Sequence, residues 1–110
     1  MIELEDFQRV ELAVGTVVAA EPNPKARAPA YVLRIDFGAD YGERHSSAQL
    51  TENYRPEDLL GRQVVAVMNF PPKRIAGVRS EVLVLGAVSP ENGVVLLAPD
   101  RAVEDGARIG

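Results

Sequence analysis

A chain of 110 residues suits one domain with its own core, and 1–110 is read here as a single unit. With no cysteine, it excludes disulfides, thiolate nucleophiles and cysteine-bound zinc or iron–sulfur centres. A net charge of −4, taken as a total, argues against a polyanionic partner.

The opening MIELEDFQRVEL places Ile2, Leu4, Phe7 and Val10 at helical spacing, which predicts a short helical turn packing Phe7 inward. It lacks the form of an export leader, and no apolar run approaches the roughly 20 residues of a membrane span. A soluble, cytoplasmic protein without membrane insertion is expected. VGTVVAAE, Val14–Glu21, reads as a strand in which Gly15 marks a bulge or tight bend. EPNPKARAP is a loop, because Pro22, Pro24 and Pro29 block both helix and ladder pairing. In YVLRIDFG the residues Tyr31, Leu33, Ile35 and Phe37 alternate with Val32, Arg34 and Asp36. That pattern predicts a half-buried strand with Arg34 outside and Phe37 in the core.

HSSAQL reads as a third strand, and a short helix around Pro56–Leu60 follows, with acids in its first turn and Gly61 after its end. RQVVAVMNF and SEVLVLGAV are apolar on successive residues, so both faces of these strands need cover. The helix, the terminal segments or a second subunit could supply it. SPENGVVLLAP is a hairpin turning at Asn92-Gly93. The tail DRAVEDGARIG is turn-rich. An all-β fold follows, with about five strands and one short helix between the third and fourth. This matches the plan of a five-stranded OB-fold barrel with short terminal extensions, although the pattern alone does not choose it over other small barrels.

Charge is unevenly placed. Pro22–Ile35 and Leu59–Ser80 hold Lys25, Arg27, Arg34, Arg62, Lys73, Arg74 and Arg79 and no acid, while the rest of the chain carries all 16 acids. If the two stretches converge they form a positive face on a negative body; otherwise they are two solvated loops. In NFPPKRIAGVRSEVLVLG, Asn69 ends a strand, Phe70 sits at its mouth and Pro71-Pro72 stiffen the exit. Lys73 and Arg74 then ride a rigid elbow that turns at Gly77 before Arg79 and Ser80. OB barrels bind oligonucleotides on one face with basic and aromatic side chains, and Arg34 would supply the floor.

Catalytic signals are absent. His45 is the single histidine, and its neighbours Ser46 and Ser47 alternate across a strand, so no nucleophile–base–orienter set is evident. Glu57-Asp58 and Glu104-Asp105 lack histidine or calcium-loop spacing, and the glycines are scattered rather than gathered in a phosphate loop. No catalytic residue, metal or cofactor is expected.

The segments VGTVVAAEPNPKARAPAYVLRIDFG, SSAQLTENYRPEDLLGRQVVAVMNFPPKRIAGVRSEVLVLG and GVVLLAPDRAVEDGARI resemble the CsaA family of secretion-related chaperones. That group lies within the tRNA-binding-domain family, beside the C-terminal domains of some methionyl-tRNA synthetases and the EMAP II domain. The resemblance covers nearly the whole chain. It implies an OB-fold homodimer that binds tRNA and also unfolded or export-bound polypeptides, with RNA contacts at Arg34, Asn69, Lys73, Arg74, Arg79 and Ser80. A related role would be a non-catalytic assembly factor that recruits tRNA to a synthetase. Where the wider family reads Ser-x-Gly-Met, this chain reads Ser80-Glu81-Val82-Leu83, which alters that part of the contact.

Overall fold

The computed structural model describes residues 1–110. Its elements are α1 (Leu4–Gln8), β1 (Leu12–Pro22), β2 (Tyr31–Asp36), β3 (Glu43–Ala48), α2 (Pro56–Leu59) and β4 (Gln63–Val67). Then come β5 (Lys73–Ile75), β6 (Val78–Ser80), β7 (Leu83–Val84), β8 (Gly86–Ser89) and β9 (Gly93–Leu96). The main antiparallel sheet runs β3-β2-β1-β4-β7, and β5-β6 and β8-β9 form separate two-stranded ladders. The edge of β3 meets the segment after β6: Glu81 N–H donates to His45 O (2.8 Å) and Ser46 Oγ to Val82 O (3.1 Å). These contacts nearly close the sheet into the expected OB-fold barrel, with α2 between β3 and β4.

The long strand β1 serves two partners, pairing with β4 over Leu12–Thr16 and with β2 over Thr16–Pro22. The irregularity that bends it lies between Val17 and Ala19, not at Gly15. Gly15 has a different purpose: a Cβ there would stand 2.6 Å from Phe37 Cδ1 and 2.7 Å from Ile35 Cγ2. Its missing side chain lets the Phe37 ring lie flat against the strand. Along β2, Tyr31, Leu33 and Ile35 are buried and Arg34 is exposed, as their alternation requires. They join Phe37, Leu59, Val64 and Ala66 in the barrel core, where Leu59 is the plug supplied by α2. Asp58 accepts from Arg55 N–H (3.0 Å) at the start of α2, and the positive φ of Gly61 ends it.

The doubled apolar pattern of β4 is explained by a second, smaller core. Leu12, Val14, Val65 and Val67 face outward from the barrel and are covered by Ala107 and Leu85. The C-terminal segment holds that cover down: Gly106 N–H donates to Val14 O (2.7 Å), Val14 N–H to Ala107 O (2.9 Å) and Ile109 N–H to Leu12 O (3.1 Å). Thr16 Oγ1 donates to Asp105 Oδ1 (2.6 Å). Cover for these valines therefore comes from within the chain, from its tail and from Leu85.

Two further expectations change. The helix at the N-terminus forms, but Phe7 is 40% exposed and α1 buries nothing, because five residues make too short a helix to lay a face on the barrel. The run Ser80–Val88 is not one strand. It is cut into the end of β6, β7 and β8 as the chain crosses from closing the barrel at β3 to pairing with β4 and then β9. No helix is long and apolar enough to cross a membrane.

Candidate nucleic-acid interface

The elbow after Pro72 is a β-hairpin. Lys73 pairs with Ser80, Arg74 with Arg79 and Ile75 with Val78, around a two-residue turn at Ala76-Gly77. Both turn residues have positive φ, +47° and +82°, the geometry of a type I′ turn that matches the twist of a hairpin. Glycine adopts it freely; alanine does so against its Cβ.

The hairpin gathers charge. Arg74 and Arg79 stand directly opposite each other, and neither lies within ion-pair distance of a carboxylate. Arg74 Nη1 donates only to Gly77 O (3.3 Å). The Pro22–Pro29 loop folds against the same turn: Asn23 Nδ2 donates to Ala76 O (3.4 Å), and Lys25 passes so close to Gly77 that a Cβ there would sit 3.7 Å from Lys25 Nζ. Lys25, Lys73, Arg74 and Arg79 thus share one end of the molecule. Like charges directly opposite on a ladder cost stability, roughly 0.2–1 kcal/mol, and an anion bound between them removes that cost.

Arg34 is separated from this region by β3. It is in register with His45, whose Nδ1 lies 3.5 Å from Glu81 Oε1 in the segment following Ser80. Arg34 is not bare, because its Nη1 contacts Glu43 Oε1 at 2.8 Å. Both side chains are about half exposed, so the pair is weak. Arg62 stands apart from this cluster in its contacts: its guanidinium lies over the Tyr54 ring, 5.2 Å from the centroid, beside α2.

Asn69 and Ser80 do other work. The Asn69 amide accepts from Glu11 N–H (2.9 Å) and donates to Arg9 O (2.7 Å), tying the exit of β4 to the segment after α1. Ser80 is buried, and its hydroxyl accepts from Ser47 N–H (3.1 Å) where β6 meets β3. Both position the hairpin and its approach rather than present a free polar group. Sequence reasoning placed Lys25 here only on condition that the two basic stretches converge, and did not place Ile75 or Leu83 at this site. Ile75 and Leu83 line a groove of about 450 Å³ with Phe70, Pro71, Pro72 and Glu81, and Phe70 is 54% exposed at its mouth. The only sequence signal for the groove was the apolar spacing around the basic residues.

Residues 12–108 match the family described as putative tRNA binding domain. The crystal structure of the chaperone CsaA from Bacillus anthracis is 53% identical and superposes with a TM-score of 0.94 over 100% of this chain and 99% of that one. CsaA from Picrophilus torridus is 44% identical, with a TM-score of 0.95 and full coverage of both chains. Methionine–tRNA ligase of Thermococcus onnurineus is 39% identical over 108 residues, 98% of this chain but 14% of that enzyme. The chain therefore spans about a seventh of the length of the curated relatives it matches. It belongs to the putative tRNA binding domain family.

Proposed function

We propose that residues 1–110 form a non-catalytic tRNA-binding module of the CsaA kind, cytoplasmic and homodimeric, that also holds unfolded or export-bound polypeptides. The observation that carries the RNA reading is the hairpin's unneutralised cations: Arg74 faces Arg79, Lys25 lies by the turn and Lys73 stands on the hairpin's other face, on a protein whose net charge is −4. A polyanion satisfies this arrangement, and Arg suits phosphate through its planar fork. Arg34 extends the track across β2, while Asn69 and Ser80 hold its parts in place. Recognition of tRNA on this surface would read folded shape and exposed single strands rather than duplex sequence.

Family membership and the CsaA neighbours support the tRNA and chaperone parts. Support for a dimer comes from apolar side chains left exposed on α1 (Leu4, Phe7) and on the β8-β9 hairpin (Val88, Val95). The relation to one segment of methionine–tRNA ligases supports a second reading, in which the module recruits tRNA to a synthetase. The deciding experiment is filter binding of total tRNA to the wild type and to Lys73→Ala/Arg74→Ala. The double variant should bind at least tenfold more weakly, with a shallower dependence on salt; equal affinity and slope would show that the hairpin is not the site.

A further inference from the structure

We propose that the groove beside the cationic hairpin receives one unstacked nucleobase, and that Glu81 makes it favour bases bearing an amino group. This rests on the RNA-binding reading above. The groove is walled by Phe70, Pro71, Pro72, Ile75 and Leu83, with Glu81 among its lining residues and Lys73 at its rim. Phe70 and Leu83 are half exposed and Ile75 slightly less so, so one opening presents three large apolar side chains to solvent. Its volume, about 450 Å³, lies within the range of small-ligand clefts. An apolar slot with a lysine at its rim complements a nucleotide, whose base has apolar faces and whose phosphate is anionic. An apolar peptide in the same slot would leave Lys73 at the rim without counter-charge. Pro71 and Pro72 restrict the backbone next to Phe70, which lowers the entropy lost when a base stacks on its ring.

Glu81 is the informative residue. Its Oε1 accepts from His45 N–H (3.1 Å) and lies 3.5 Å from His45 Nδ1, and its own N–H donates to His45 O (2.8 Å). Oε2 has no hydrogen-bond partner within the chain, although the side chain is only 25% exposed. A carboxylate only accepts, and next to an RNA backbone it repels phosphate, so its favourable partner on RNA is a donor, a ribose 2′-hydroxyl or a base N–H, and only the base N–H distinguishes one base from another. Cytosine offers its N4 amino group and guanine an adjacent N1–H and amino group. Uracil offers one N–H between two carbonyl oxygens and suits a carboxylate least.

The test is fluorescence anisotropy with hexacytidylate and hexauridylate at fixed salt, alongside total tRNA. The wild type should bind hexacytidylate roughly fivefold or more tightly than hexauridylate. Glu81→Gln should reduce that ratio below about twofold. Phe70→Ala should weaken both hexamers roughly tenfold without changing the salt slope, and Phe70→Tyr should restore binding. If tRNA binds and depends on Lys73 and Arg74, but the hexamers do not bind or ignore Phe70→Ala, the base pocket is wrong and the RNA reading stands. A cytosine preference that survives Glu81→Gln removes the role given to Glu81. If Phe70→Ala spares RNA and weakens only binding of reduced, carboxymethylated lactalbumin, the groove is a polypeptide site and the proposal fails. If the wild type binds neither tRNA nor hexamers, the underlying RNA reading fails with it.

Discussion

Arg79→Glu should stabilise the protein and weaken its hold on RNA at the same time. Arg79 is exposed, directly opposite Arg74, with no carboxylate within ion-pair distance of either. The substitution replaces a like-charge cross-strand pair by an opposite one. Each half of that change is worth roughly 0.2–1 kcal/mol, so the sum centres near 1 kcal/mol at low salt. For a domain of this size that raises Tm by about 4 °C. The gain should fade in 1 M salt, where the screening length falls to about 3 Å. In tRNA binding, the lost phosphate contact should make the slope of log K against log salt shallower by about 1. Differential scanning fluorimetry at two salt concentrations, paired with filter binding, reads both effects. Arg79→Gln should fall between the wild type and the glutamate variant on each axis. An Arg79→Glu protein with unchanged or lower Tm and undiminished tRNA affinity would refute the claim that the hairpin's cations are held apart for an anion.

The remaining expectations concern the scaffold. Ala76→Gly relieves a positive φ of +47° and should stabilise the hairpin by roughly 0.5–1 kcal/mol in urea unfolding; destabilisation would mean that the turn is not strained. Gly15→Ala drives a methyl to within 2.6–2.7 Å of Phe37 and Ile35 and should cost about 1–3 kcal/mol or more by the same assay. Asp105→Ala removes the acceptor for Thr16 Oγ1 and loosens the tail from β1, for a loss of roughly 1–2 kcal/mol and faster amide exchange at Val14. The Tyr41 hydroxyl donates to Glu11 at 2.5 Å, and this bond, then burial, raises its pKa above the ordinary tyrosine value. Its stabilising contribution is complete below the ordinary value and is lost as pH climbs through the raised one. Tyrosinate absorbance should show a late-titrating component that Tyr41→Phe abolishes; a titration unchanged by that substitution would contradict the bond.

What the chain disclosed in advance depended on how local each constraint is. The alternation of Tyr31–Phe37 fixes inside and outside with no help from elsewhere, and Arg34 sits where that period puts it. Val64–Met68 announced that two faces needed cover. Which of the possible covers supplied it stayed open, because Ala107 comes from a turn-rich tail held by backbone bonds to β1 and Leu85 from the run after β7. The hairpin at Lys73–Ser80 read as a loop since its strands have three residues each and its turn is Ala-Gly, not Asn-Gly. Asn69 reads as the end of a strand, and the resemblance gives it an RNA contact; its partners Glu11 and Arg9 lie 58 and 60 residues away in sequence. The convergence of the two acid-poor stretches was stated only as a condition. Lys25 beside Gly77 satisfies it at one end, while Arg62, over Tyr54, does not join them.

The most direct measurement is the affinity of the wild-type protein for total tRNA from 50 to 400 mM salt. With at least four cations meeting phosphate, log K should fall linearly against log salt with a slope near −3 or steeper, on the scale of about −0.7 to −0.9 for each contact. No binding at 50 mM, or binding indifferent to salt, would contradict the cationic hairpin as an RNA surface.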